Sequence, residues 1–93
     1  MHEDHFEHLH KEQKTALLIA LYHGATISRS RTVKDAPFTI AVKGERGIVP
    51  AGLVHELTQE RILKKQDYPH QFFYTLTANG AETAKNTFLR DAS

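Results

Sequence analysis

Two arginines spaced two residues apart, Arg29 and Arg31, stand in the alternating stretch Ala25-Thr26-Ile27-Ser28-Arg29-Ser30-Arg31-Thr32-Val33. Read as a strand, this spacing sets both guanidiniums on the face that carries Ile27 and Val33. Two guanidiniums are not buried side by side without carboxylate partners. Either the strand projects beyond the core, or its face meets something that accepts cations, phosphates or an acidic protein surface. Plain solvent exposure on a twisted ribbon is the alternative.

A second group of candidates lies just after Pro50, where Val49, Leu53, Val54 and Leu57 form an apolar helical stripe. The face away from that stripe offers Ala51, Gly52, His55, Thr58 and Gln59. Small residues at the start of a helix let it approach a groove closely, Gln pairs with adenine through N6 and N7, and His55 can donate to phosphate or guanine. Glu56 and Glu60 on or near the same surface oppose phosphate, and a solvated face of a core helix is the competing reading. A third group is Lys64, Lys65 and His70, flanking the proline-stiffened loop Asp67-Tyr68-Pro69-His70-Gln71. Cations there suit a nucleic-acid backbone or minor groove. Lysines on a strand equally protect an edge from unwanted pairing.

His2, His5, His8 and His10 crowd the N-terminus. His5 and His8 are spaced for one helical turn, but His2-Glu3-Asp4-His5 is one residue short of a His-Glu-x-x-His pattern. No specific metal site is expected; a flexible arm that binds metal weakly, or one that changes sign as its imidazoles charge, fits the residues. Enzyme chemistry finds no foothold. Gly44-Glu45-Arg46-Gly47 lacks the spacing and the Lys-Ser/Thr of a phosphate loop, and no serine stands at a strand-to-helix elbow. No cofactor is expected.

The elements that must position these residues follow from periodicity. Residues 1–7 show no clear period and read as a His-rich acidic arm; residues 8–93 read as one domain. From His8 to His23 the pattern is helical, with Leu9, Ala16, Leu17, Ala20 and Leu21 near one stripe, widened by Leu18, Ile19 and Tyr22. Gly24 supplies the left-handed stop. Residues 25–48 read as a β-hairpin, with Lys34-Asp35-Ala36-Pro37 as the turn, Phe38-Thr39-Ile40-Ala41-Val42 as the return strand, and Gly44-Glu45-Arg46-Gly47 as the end. The Pro50–Gln59 helix comes next. A strand reaching Lys65, the loop 67–71 and a strand Phe72–Leu76 then form a second hairpin. Thr77 is placed to cap a last helix, Ala78 to Arg90, whose apolar face is Ala81, Ala84, Phe88 and Leu89. That helix packs on the first, within one chain or across a dimer.

The segment Tyr74-x-Leu76-Thr77-x-x-Gly80 resembles the end of the wing in the MarR-type and PadR-type winged helix-turn-helix regulators. The order helix, hairpin, helix is the back half of a winged helix. The resemblance implies an α+β fold: a small winged-helix-like domain with an extra β-hairpin between the first helix and the recognition helix, Pro50–Gln59. It implies a transcriptional regulator that binds double-stranded DNA as a homodimer, joined through its first and last helices, with Arg29, Arg31, Ala51, Gly52, His55, Gln59, Lys64, Lys65 and His70 as DNA contacts. The hairpin at 25–48 departs from the family, which has a helix there. The rival reading is a protein-interaction module, an inhibitor or adaptor, on the same scaffold. Element order and the Leu-Thr-x-x-Gly ending also resemble a bacterial group linked to topoisomerase inhibition in toxin–antitoxin pairs.

Composition fits these readings. Ninety-three residues with 40% hydrophobic content make one small domain, for which oligomerisation is a reasonable expectation. There is no cysteine, which excludes disulfides and thiolate metal sites. The longest apolar run, Ala16 to Leu21, is too short to cross a bilayer. The acidic start does not read as a signal peptide, so a cytoplasmic setting is expected. The net charge of +1 hides an asymmetry. Residues 1–13 carry Glu3, Asp4, Glu7 and Glu12 against Lys11 alone, and the remainder is mildly basic, which permits nucleic-acid binding without demanding it.

Overall fold

The computed structural model describes the backbone of residues 2–92 and the side chains of residues 12–91. Among the described residues three helices and five strands follow one another: α1 (His2–Tyr22), β1 (Thr26–Ser30), β2 (Phe38–Val42), β3 (Glu45–Val49), α2 (Ala51–Gln59), β4 (Leu63–Asp67), β5 (Gln71–Leu76) and α3 (Ala78–Ala92). The strands form one antiparallel sheet in the order β3-β2-β1-β5-β4. This is an α+β domain with the extra hairpin between the first and second helices, as the sequence predicts.

Alternation decides which face of the sheet is covered. Ile27, Phe38, Val49, Leu63 and Tyr74 share one face and are buried against Leu17, Leu18 and Leu21 of α1, Leu53, Val54 and Leu57 of α2, and Ala84 of α3. Ile27, Val54 and Leu57 are fully buried. At roughly 25 cal/mol per Å² of apolar surface, each contributes about 1.5–3 kcal/mol to folding. The other face carries Thr26, Ser28 and Thr39, with the Ser28 and Thr39 hydroxyls 3.2 Å apart.

α1 ends at a left-handed Gly24 (φ 96°), and the amide of Ala25 returns to the carbonyl of Ala20 at 3.0 Å. The same closure ends α2 without a glycine. Ile62 donates to the Leu57 carbonyl at 2.9 Å and Arg61, at φ 61°, donates to that of Thr58 at 3.1 Å. The helix at the N-terminus starts at His2, earlier than the periodicity suggests. The side chains of His2, His5, His8 and His10 lie outside the described residues.

Two expectations are corrected. Gly44-Glu45-Arg46-Gly47 does not merely end a hairpin. Lys43 and Gly44, both at positive φ, make a two-residue turn into β3, which pairs with β2 from Val42↔Glu45 to Phe38↔Val49. Val49 therefore belongs to a strand, not to the stripe of α2, and Pro50 sits at the N-cap rather than inside the first turn. The first strand is also shorter than 25–33. The Ser30 hydroxyl accepts the amides of Thr32 and Val33, both at 3.2 Å, and this local turn curls the chain away after β1. Val33 is exposed and shares no buried face with Ile27.

Candidate nucleic-acid interface

β1, β5 and β4 carry a row of side chains past the end of the helical cover. Ile27 is buried in the core, but two residues on, Arg29 lies opposite Phe72 of β5. Its guanidinium stands 5.1 Å from the centre of the Phe38 ring. Arg31 stands 4.9 Å from the centre of Phe72, and the ammonium of Lys65, from β4, lies 3.9 Å from the same ring. Each contact of this kind is worth about 0.5–1 kcal/mol when exposed. Among the described residues none of these three cations forms an ion pair. The aromatic faces hold the cations in place, and Arg31 also gives one donor to the Tyr68 carbonyl.

The row continues into α2. His55 meets the other side of the cluster, its ring 5.8 Å from Phe38 and nearly perpendicular to it. Arg29, Asp35, Phe38, Ala51 and His55 line one cleft of about 470 Å³. Tyr74 packs behind it, its ring 5.3 Å from that of Phe38. Burial raises the pKa of its hydroxyl above the usual 10, while the nearby charge of Arg29 pulls it down and that of Asp67 pushes it up.

The glutamates of α2 are turned away from this cluster. Lys14 of α1 reaches Glu56 at 2.8 Å and Glu60 at 2.9 Å, so both carboxylates are tied to the first helix. Burial lowers the Lys14 pKa, but the hydrogen bonds and charges of the two glutamates outweigh it and leave the pKa raised. Thr58 is also withdrawn: its hydroxyl donates to the Val54 carbonyl at 2.7 Å. Ala51, Gly52, His55 and Gln59 remain as the exposed face.

The β4–β5 hairpin is built around Arg31. Its amide donates to the His70 carbonyl at 3.0 Å and its guanidinium to the Tyr68 carbonyl at 3.0 Å. Tyr68 closes the loop through its own amide to Gln71, 2.9 Å away, and its ring meets Phe73 edge-on at 5.1 Å. Arg31 therefore positions the β4–β5 loop as well as presenting charge. His70 is exposed at the tip.

The structure thus brings together Arg29, Arg31, Lys65, Ala51 and His55, with Gly52 beside Ala51 and Gln59 one turn beyond His55 on the same helix. It does not bring Lys64 to them. Lys64 pairs with Thr75 and Lys65 with Tyr74, so the two lysines point to opposite faces of the sheet. Sequence reasoning missed the rings of Phe38 and Phe72 as platforms, although both lie in recognisable strands. Among the described residues no group of three or more His, Asp or Glu could hold a metal ion, and no helix is long and apolar enough to cross a membrane.

No protein-family model matches the chain, and neither the curated proteins nor the solved structures include a match to it.

Proposed function

We propose that this protein binds double-stranded DNA in the manner of a winged helix and acts as a transcriptional regulator. α2 enters the major groove through Ala51, Gly52, His55 and Gln59, and the Arg29–Phe72–Lys65 row and the wing follow the phosphates. The observation that carries this reading is the pair Arg29 and Arg31 held on phenylalanine rings with no ion pair among the described residues, beside a helix whose glutamates are occupied by Lys14. The order α2, β4–β5 hairpin, α3 supports it, since helix, hairpin and closing helix is the order that the winged-helix resemblance implies.

One observation favours a second reading. β2 and β3 stand where the resemblance calls for the first helix of a helix-turn-helix, so the usual two-helix docking on the duplex is unavailable. An acidic protein surface would meet the same cations.

Fluorescence anisotropy with a labelled duplex of about 25 base pairs separates the two, since binding through phosphates releases counterions. Binding on the order of micromolar at low salt that weakens steeply toward physiological salt supports the DNA reading. No binding at low salt rejects it in favour of the protein partner.

A further inference from the structure

The face of the sheet turned away from the helices is built in rows. In one row Ile48, Thr39, Ser28, Phe73 and Gln66 stand side by side across β3, β2, β1, β5 and β4. In the next, Arg46 pairs with Ala41 and Ala41 with Thr26, and at the far edge Thr75 pairs with Lys64. A cation therefore stands at each end of a row whose middle holds small side chains. Arg46 and Lys64 are exposed, and among the described residues neither forms an ion pair. The two acidic residues of the strands, Glu45 and Asp67, fall in register on the helix side, with Val49 and Leu63. The open face thus carries positive charge and no strand carboxylate.

Across these rows lies a recess of about 290 Å³, lined by Thr26, Ser28, Thr39, Arg46, Gln71 and Phe73 among others. Phe73 is half-buried, and the exposed ring of Tyr68 meets it edge-on at 5.1 Å. A ring to stack on, hydroxyls that both donate and accept, and cations at the ends match the three parts of a ribonucleotide: base, ribose and phosphate. Width selects a single strand. Four intervals of about 4.8 Å make the face roughly 19 Å across. The major groove of a duplex, about 12 Å wide, admits a two-stranded ribbon and not a sheet of this width. Unpaired bases can lie on it.

We infer that this open face binds single-stranded RNA, with a base stacked at Phe73 and Tyr68, ribose hydroxyls on Ser28 and Thr39, and phosphates on Arg46 and Lys64. The 2′-hydroxyl of the ribose is what the Ser and Thr side chains of the recess can recognise, and DNA lacks it. The site lies on the other side of the sheet from Arg29 and Lys65, which share the helix-side register with Tyr74 and Phe72. It therefore goes beyond the duplex reading and does not rest on it.

The test is fluorescence anisotropy with a labelled oligouridylate of about ten nucleotides, titrated across a salt series. Arg46→Ala and Lys64→Ala, both at exposed sites, should each weaken binding and lower the salt slope by about 0.7, the value for one phosphate contact on a single strand. Lys85→Ala, at an exposed site on α3, should leave the slope unchanged. Phe73→Leu, which keeps an apolar side chain in the sheet, should weaken binding by about fivefold or more. A deoxyuridine oligomer of the same length should bind less tightly than the RNA. No binding of the RNA at low salt overturns the inference, and so do equal losses in Arg46→Ala, Lys64→Ala and Lys85→Ala. Equal affinity for the two oligomers overturns the assignment to RNA. All of these outcomes leave the duplex reading standing, because that reading fails on Arg29→Ala and Lys65→Ala with duplex DNA.

Discussion

Gly80, in the first turn of α3, lies against the carbonyl of Ile62, where the chain leaves α2: a Cβ built on Gly80 would stand 1.9 Å from that oxygen. Thr77 joins the same junction from the other side. Its hydroxyl accepts the Gly80 amide at 2.9 Å and donates to the Arg61 carbonyl, and its own amide donates to Ile62 at 3.0 Å. The Leu-Thr-x-x-Gly signature therefore fastens the last helix to the end of α2, with the strands between them closing the loop. Its role is structural, and it sets the angle at which α2 is presented.

Gly80→Ala should accordingly destabilise the protein by about 2–4 kcal/mol, as overpacking against backbone cannot be relieved by a rotamer change. Thr77→Ala should cost about 1–2 kcal/mol through loss of the cap. Urea unfolding measures both. A Gly80→Ala protein as stable as the wild type would show that the contact at Ile62 is not tight.

Arg61 occupies the left-handed region at φ 61°, where a side chain costs energy and glycine does not. Its neighbours Glu60 and Ile62 complete the helix closure through main-chain groups alone. Arg61→Gly should raise stability by up to about 1 kcal/mol, partly offset by the greater freedom of the unfolded chain. Thermal melting of the two proteins decides it, and a fall in melting temperature contradicts the assignment.

The Lys14–Glu56–Glu60 triad predicts an alkaline dependence. Lys14 has a folded pKa above its ordinary 10.5, so its stabilisation is complete below that value and is lost as pH rises through the folded pKa. These groups are partly exposed, and each pair is worth less than about 1 kcal/mol. The stability difference between wild type and Lys14→Met should be constant from pH 7 to 9 and shrink above pH 10.5. A difference that grows at high pH would contradict the sign. Release of Glu56 and Glu60 toward the reading face should also weaken duplex binding in Lys14→Met.

Much of the architecture is legible because burial enforces a period. Ile27, Tyr74 and Leu76 alternate as strands must, and Leu53, Val54 and Leu57 recur as one face of a helix. β3 escapes such reading because an edge strand with Glu45, Arg46 and Ile48 all exposed has no alternation to display. The separation of Lys64 from Lys65 was available from the two-residue period alone, since neighbours on a strand point to opposite faces. The partners of Glu56 and Glu60 were not: Lys14 is 42 and 46 positions away, and no local pattern records a contact between two helices. Phe38 and Phe72 read as core from their type; their second role, carrying Arg29, Arg31 and Lys65, depends on how far the helices extend over the sheet.

On the proposed function, one face of the domain, and not its charge in general, meets DNA. It is tested most directly by comparing Arg29→Ala, Lys65→Ala and Lys64→Ala in duplex binding across a salt series. Each variant removes one charge from the same small domain. If Arg29 and Lys65 meet phosphates, their loss should weaken binding and lower the salt slope by about 1 each, while Lys64→Ala, on the opposite face, leaves both unchanged. Equal losses in all three variants, or none in any, would contradict the account.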